Sequence, residues 1–232
     1  MMWSWIPSNA GLIRQYTLDN AYLGIVPALL GLVISVPLGI ACVRWRWLYP
    51  PVLSATSILY ALPSLALFIV LIPYTGLTDT TVIIPLTLFS LCILLPNVVD
   101  GLRSVPGPVR QAATAMGFGP LRRLVQVELP IAVPLVIAGL RIAVVSSISL
   151  ASVGQLMGIY SLGYFFIDGY QRDFPTEIVV GLVLIIVLAL VCDVLLVGAR
   201  RLLTPWQPRR ARREIRSVRR RPAVQELPGG AA

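Results

Sequence analysis

Arg141 and Asp193 are the two charges in this chain whose positions are hardest to explain by solvation, because each lies inside a long apolar run. Arg141 sits eleven residues past Pro130, ~16 Å along a helix at 1.5 Å per residue, and a charge at that depth in hydrocarbon is expensive and usually functional. It can pair with Asp193, with Asp100 as a rival acid, or snorkel its guanidinium back to the nearer surface. Ser146, Ser147, Ser149 and Ser152 crowd the same run. Small hydroxyl residues let helices pack closely and bond across them, or they line a polar path, with Ser149 and Ser146 the foremost candidates. Asn97 and the Pro63-Ser64 pair are further polar positions of the same kind.

What is missing narrows the chemistry further. Every basic residue is arginine, and the chain has no lysine and no histidine. Without lysine there is no Walker A phosphate loop, and without histidine no Ser-His-Asp or Cys-His nucleophile pair and no histidine metal site. No metal ligand set is expected. Cys42, Cys92 and Cys192 each fall within apolar runs far apart, which reads as three small hydrophobes rather than a disulfide framework.

The elements that must hold these groups are membrane spans. With 57% hydrophobic and 12% charged residues and a mean hydropathy of +0.84, the chain is an all-α integral membrane protein. About five spans are predicted: 21–43, 52–72, 80–99, 131–153 and 177–199. The first is roughly 23 residues, ~34 Å of helix against a hydrocarbon core of ~30 Å. Residues 1–20, with Trp3, Trp5 and Pro7, read as an interfacial extracytoplasmic segment, and 21–204 as the transmembrane domain. Arginine placement orients it. Arg44, Arg46, Arg103, Arg110, Arg122, Arg123, Arg200, Arg201 and the tail fall on one side, Arg14 and Arg172 on the other. The rule that positive loops stay inside places the N-terminus out and the C-terminus in. The tail, 205–232, carries an arginine run from Arg209 to Arg221 and is predicted to be disordered or to anchor on anionic lipid, with no role for nucleic acid.

Residues 111–130 (QAATAMGFGPLRRLVQVELP) form the only long polar-rich stretch between apolar runs. Ala112, Ala113, Ala115 and Met116 offer a small helical surface, and Leu121, Leu124, Val125 and Leu129 repeat at helical spacing. Gly117 and Gly119 bracket a break, Pro120 opens a second helix, and Pro130 is expected to start a third. The hairpin either docks a partner or lies on lipid. On the outer side, 154–175 holds Tyr160, Tyr164, Phe165, Phe166 and Tyr170, an interfacial aromatic belt or a short gating helix.

The order Gln111-Ala112-Ala113, Gly117, Val127, Leu129-Pro130 resembles the EAA loop of ABC importer permeases at every spacing, with Gln111 in place of the acid and Val127 in place of isoleucine. VPLGIA at 36–41, ALPSLALF at 61–68 and VELPIAVPLVIAGLRIA at 127–143 are similar to the osmoprotectant branch of that family, over roughly residues 20–205. The resemblance implies a type I importer permease fold with a cytoplasmic helical-hairpin coupling loop at 101–130. It also implies a permease subunit in a prokaryotic plasma membrane that moves glycine betaine, choline, carnitine or a similar osmolyte inward by alternating access. The chain would then be no enzyme. ATP and Mg would belong to separate ABC ATPase subunits docked at Gln111, Ala112, Ala113, Gly117, Leu129 and Pro130. A second permease copy, identical or paralogous, and an extracytoplasmic substrate-binding protein would complete the assembly. An amino-acid importer permease for a methionine-like substrate and an ion-coupled carrier are the alternatives.

Overall fold

The computed structural model describes residues 5–205, and all regular structure among them is helical. Trp3 and the arginine run of the tail lie outside the described residues. The helices are α1 (Trp5–Ser8), α2 (Ala10–Arg44), α3 (Tyr49–Ala61), α4 (Ser64–Thr75), α5 (Asp79–Arg103), α6 (Gly107–Ala115), α7 (Pro120–Arg123), α8 (Leu129–Ala151), α9 (Tyr164–Gln171) and α10 (Pro175–Leu203).

Helix α5 is the centre. Leu86, Leu94, Leu95, Val98, Val99 and Leu102 are buried along it, and it packs against α2, α8, α3 and α4. Small residues permit this closeness. A Cβ on Gly31 of α2 would fall 2.7 Å from the Ser90 Cβ of α5, and one on Gly139 of α8 would fall 2.7 Å from the Asn97 Cβ. Helix α10 packs against α8 and α9 and leaves Leu182, Ile186, Leu190, Val194 and Leu195 exposed, as a lipid-facing helix does.

Three span expectations need correction. The helix that carries the first span, α2, begins at Ala10 and not near Ala21, so most of the expected interfacial segment is helix. Tyr16 and Asn20 are already buried, and Trp5 packs edge-on to Phe165 and Phe174 rather than standing apart at an interface. The run 52–72 is not one straight span, since the axis turns by 92° between Ala61 and Ser64. Leu62 is extended (φ −71°, ψ 136°), as a residue before proline prefers, and Pro63 has no N–H to continue the ladder. Among the described residues, four helices are long and apolar enough to cross a membrane, five if this bent pair is one span.

The third correction concerns Pro130. The α-helix α8 does begin beside it, at Leu129, but as a continuation: α7, the turn that follows and α8 are helical without interruption from Pro120 to Met157. The prolines remove two backbone donors, and the ladder adjusts by a wide π turn over Leu124–Glu128, where the Leu129 N–H donates to the Leu124 carbonyl five residues back. α7 and α8 are thus one continuous rod.

Candidate functional site

The hairpin 107–130 is built on a glycine C-cap. Gly117 has φ +81°, the Phe118 N–H donates to the Ala113 carbonyl (3.1 Å) and the Gly117 N–H to that of Thr114 (3.0 Å). These two bonds are the Schellman arrangement, which ends α6 and reverses the chain into Gly119 and Pro120, the first residue of α7. A Cβ on Gly117 would meet nothing within 4 Å, so the requirement for glycine here is backbone conformation alone.

The hairpin is fastened by Glu128, a residue the sequence reading passed over. It is 7% exposed and takes Arg123 Nε at 3.0 Å and Arg110 Nε at 3.6 Å. Arg110 Nη2 also donates to the Leu102 carbonyl (2.6 Å), and Arg123 Nη1 to Thr114 Oγ1 (3.1 Å). One carboxylate therefore ties α6, α7 and the end of α5 to the base of α8. The available signal was its isolation: between Asp100 and Glu128 the chain has Arg103, Arg110, Arg122 and Arg123 and no other acid.

The expected docking positions divide by exposure. Gln111 and Ala112 face outward with Ala115 and Met116, and Met116 (69%) and Leu121 (73%) are apolar groups held in the open. Ala113, expected on that surface, is instead buried at 1% and packs inward. Leu129 and Pro130 are half-buried in the rod and offer less open surface.

In the membrane region, Arg141 and Asp193 form a two-pronged ion pair, Nε to Oδ1 at 2.6 Å and Nη2 to Oδ2 at 2.7 Å, joining α8 to α10. Asp100 is exposed near the end of α5 and takes no part. The serines differ in burial, although Ser149 and Ser152 border the same cavity. Ser147 meets Ser90 at 3.1 Å and Ser152 donates to Asn20 Oδ1 at 3.3 Å, both buried, so these two bond helices together. Ser149 is exposed, bonds only its own helix at Val145, and opens on an apolar cavity of about 490 Å³ between α8, α9 and α10. Ser146 and Asn97 are half-buried and do not line that cavity. Asn97 donates to the Ile93 carbonyl and packs on Gly139.

The outer aromatics differ in burial. They split: Tyr160 and Tyr170 are exposed, while Phe165 is fully buried beneath Tyr16 on the inner face of the short helix α9. Gly163 sets that helix in place, since a Cβ there would run into the Ser152 carbonyl oxygen. Burial first, and then the Asp168 carboxylate, hold the Tyr164 hydroxyl above its ordinary pKa.

This bundle, with a glycine-capped hairpin fastened to one transmembrane rod, is matched over residues 31–207 by the family described as binding-protein-dependent transport system inner membrane component. The chain belongs to that family. The permease is 33% identical over 202 residues to the osmoprotectant import permease protein OsmW of Salmonella typhimurium, covering 85% of this chain and 94% of that one. It is 29% identical over 200 residues to the choline transport system permease protein OpuBB of Bacillus subtilis (86% and 92%). It is 33% identical over 179 residues to the carnitine transport permease protein OpuCD of Listeria monocytogenes (77% and 80%). Among solved structures, a chain of the inward-facing MetNI methionine ABC transporter superposes with a TM-score of 0.73 at 22% identity, covering 88% of this permease and 100% of that chain. That likeness shows the shared fold of importer permeases.

Proposed function

We propose that this permease subunit carries small osmoprotectants such as glycine betaine, choline or carnitine inward, driven by ATPase subunits docked on the hairpin 107–130. The observation that carries the reading is mechanical. The glycine cap holds Ala112, Ala115, Met116 and Leu121 outward, while Glu128 and the unbroken helix from Pro120 to Met157 join that surface to the middle of the bundle. A displacement of the hairpin is then delivered as rigid motion of α8, which suits alternating access between two discrete states. ATP and Mg belong to the ATPase partner; this chain has no lysine for a phosphate loop. A second permease copy completes the pathway, with Ser149, Ser146 and Asn97 near it, Arg141–Asp193 as a structural pair beside it, and α9 beneath an extracytoplasmic binding protein. The N-terminus lies outside and the C-terminus in the cytoplasm.

The osmolyte reading is preferred to a methionine-like substrate because the related permeases named above are those of osmoprotectant, choline and carnitine systems, whereas the methionine transporter shares only the fold. The test is co-purification of an ATPase with the full-length chain, wild type against Ala112→Glu combined with Met116→Glu, two exposed changes that leave the core alone. Loss of the ATPase from a correctly inserted variant supports docking. Recovery of no ATPase with wild type rejects it in favour of an ion-coupled carrier. Uptake of labelled glycine betaine, competed by choline, carnitine or methionine, then settles the substrate class.

A further inference from the structure

A cavity of about 570 Å³ lies between the end of α2, the end of α5 and the hairpin. Its charged lining is Arg44, Arg110, Arg123 and Glu128, three guanidinium groups against one carboxylate, which leaves two positive charges. Its apolar walls include Ile40, Val43 and Leu102, residues of the spans themselves. Arg110 Nε is buried there without a hydrogen-bond acceptor among the described residues, its nearest carboxylate oxygen being Glu128 at 3.6 Å. Arg44 ends α2 and makes no ion pair among the described residues. A cationic mouth over an apolar wall, at the depth where two spans end, matches a ligand that is itself anionic at one end and apolar at the other.

We propose that this cavity seats the headgroup of an anionic phospholipid, its phosphate between Arg44 and Arg110 and its glycerol and first acyl carbons against Ile40 and Val43. Basic pockets between helix ends at a membrane surface are suited to such headgroups. An acidic peptide is the poorer match, because its backbone donors and acceptors would lie unpaired against the apolar wall. The seat requires only that the hairpin lie at a membrane surface; ATPase docking is not assumed. A bound lipid would wedge between the first span and the hairpin that Arg110 and Arg123 help to fasten, so its occupancy would bear on how firmly the hairpin is held.

The test is native mass spectrometry of the full-length chain in mild detergent, titrated with phosphatidylglycerol or phosphatidylcholine. One phosphatidylglycerol per chain is expected to be retained about tenfold better than phosphatidylcholine. Arg44→Glu is expected to remove that preference, and Arg44 has no ion pair among the described residues whose loss would unfold the protein. Arg122→Gln, on the same hairpin but outside the cavity, is expected to leave it intact. Equal retention of the two lipids, or an equal loss in both variants, overturns the proposal. So does complete displacement of the lipid by millimolar glycerol phosphate, which would make this a site for free phosphate esters. Because the readout needs no ATPase, its failure is separable from failure of the docking reading.

Discussion

Gly117 offers a direct test of how the hairpin acts. Its φ of +81° lies in the left-handed region, where a residue with a Cβ is penalised by ~1–2 kcal/mol, and a Cβ there meets no atom of the described residues within 4 Å. Gly117→Ala should therefore leave the bundle intact and cost only the hairpin conformation. If docking requires that conformation, the same energy weakens ATPase binding by about 5- to 30-fold. Asparagine tolerates the left-handed region better than alanine, so Gly117→Asn should recover a good part of the loss although it is bulkier. The assay is the dissociation constant of the purified ATPase subunit for permease in lipid nanodiscs, with thermal unfolding as the control for the bundle. The expected order of affinity is Gly, then Asn, then Ala. If asparagine binds worse than alanine, side-chain volume at a partner contact is limiting, and the backbone argument is wrong.

Glu128→Gln leaves Arg110 and Arg123 without their shared carboxylate and should loosen the hairpin without unfolding α5. Hydrogen exchange over 107–123 should quicken by about 5- to 150-fold, equivalent to ~1–3 kcal/mol, while exchange in α5 is unchanged. Arg141→Met and Asp193→Asn each strand one charge of the pair between α8 and α10 and should cost roughly 3 kcal/mol in a denaturant titration in micelles. Arg141→Met with Asp193→Leu should recover more than half of that, and a double variant as unstable as the singles would refute the pairing. Gly31→Ala places a Cβ 2.7 Å from the Ser90 Cβ and 3.2 Å from the Leu91 backbone nitrogen, so the helices must part; about 1–3 kcal/mol of stability should be lost, whereas Gly11→Ala, with open space around it, should be neutral. Ala113→Glu puts a charge into a buried position and should lower the yield of inserted protein, unlike Ala112→Glu, as quantified by size-exclusion recovery in detergent.

Composition alone determined that this is a helical membrane protein, because a chain this apolar with so few charges cannot cover itself with polar surface. Spacing determined the hairpin. The glycine cap at Gly117 and the proline opening at Pro120 act within a few residues of chain, so their order along the sequence is nearly their geometry. Among the serines, helical periodicity separates Ser149 from Ser147, two residues apart and so on opposite sides, but leaves Ser152 on the side of Ser149, and only packing against Asn20 buries it.

The rest depended on which faces meet, and no local pattern carries that. Asp193 and Asp100 were both within reach of Arg141 by depth, and only the packing of α10 on α8 chose Asp193. Ala113 looked like its neighbours Ala112 and Ala115 until α6 folded against α7 and the π turn and it was buried. Glu128 seemed an ordinary acid before a helix, and became the fastening of the hairpin when folding brought Arg110, eighteen positions earlier in the chain, to the same carboxylate. Proline was ambiguous for the same reason. Its missing N–H accompanies a 92° bend at Pro63 but is absorbed by a π turn just before Pro130, where α8 packs along α5. Removing a donor is a local fact; whether the helix breaks depends on what is packed against it.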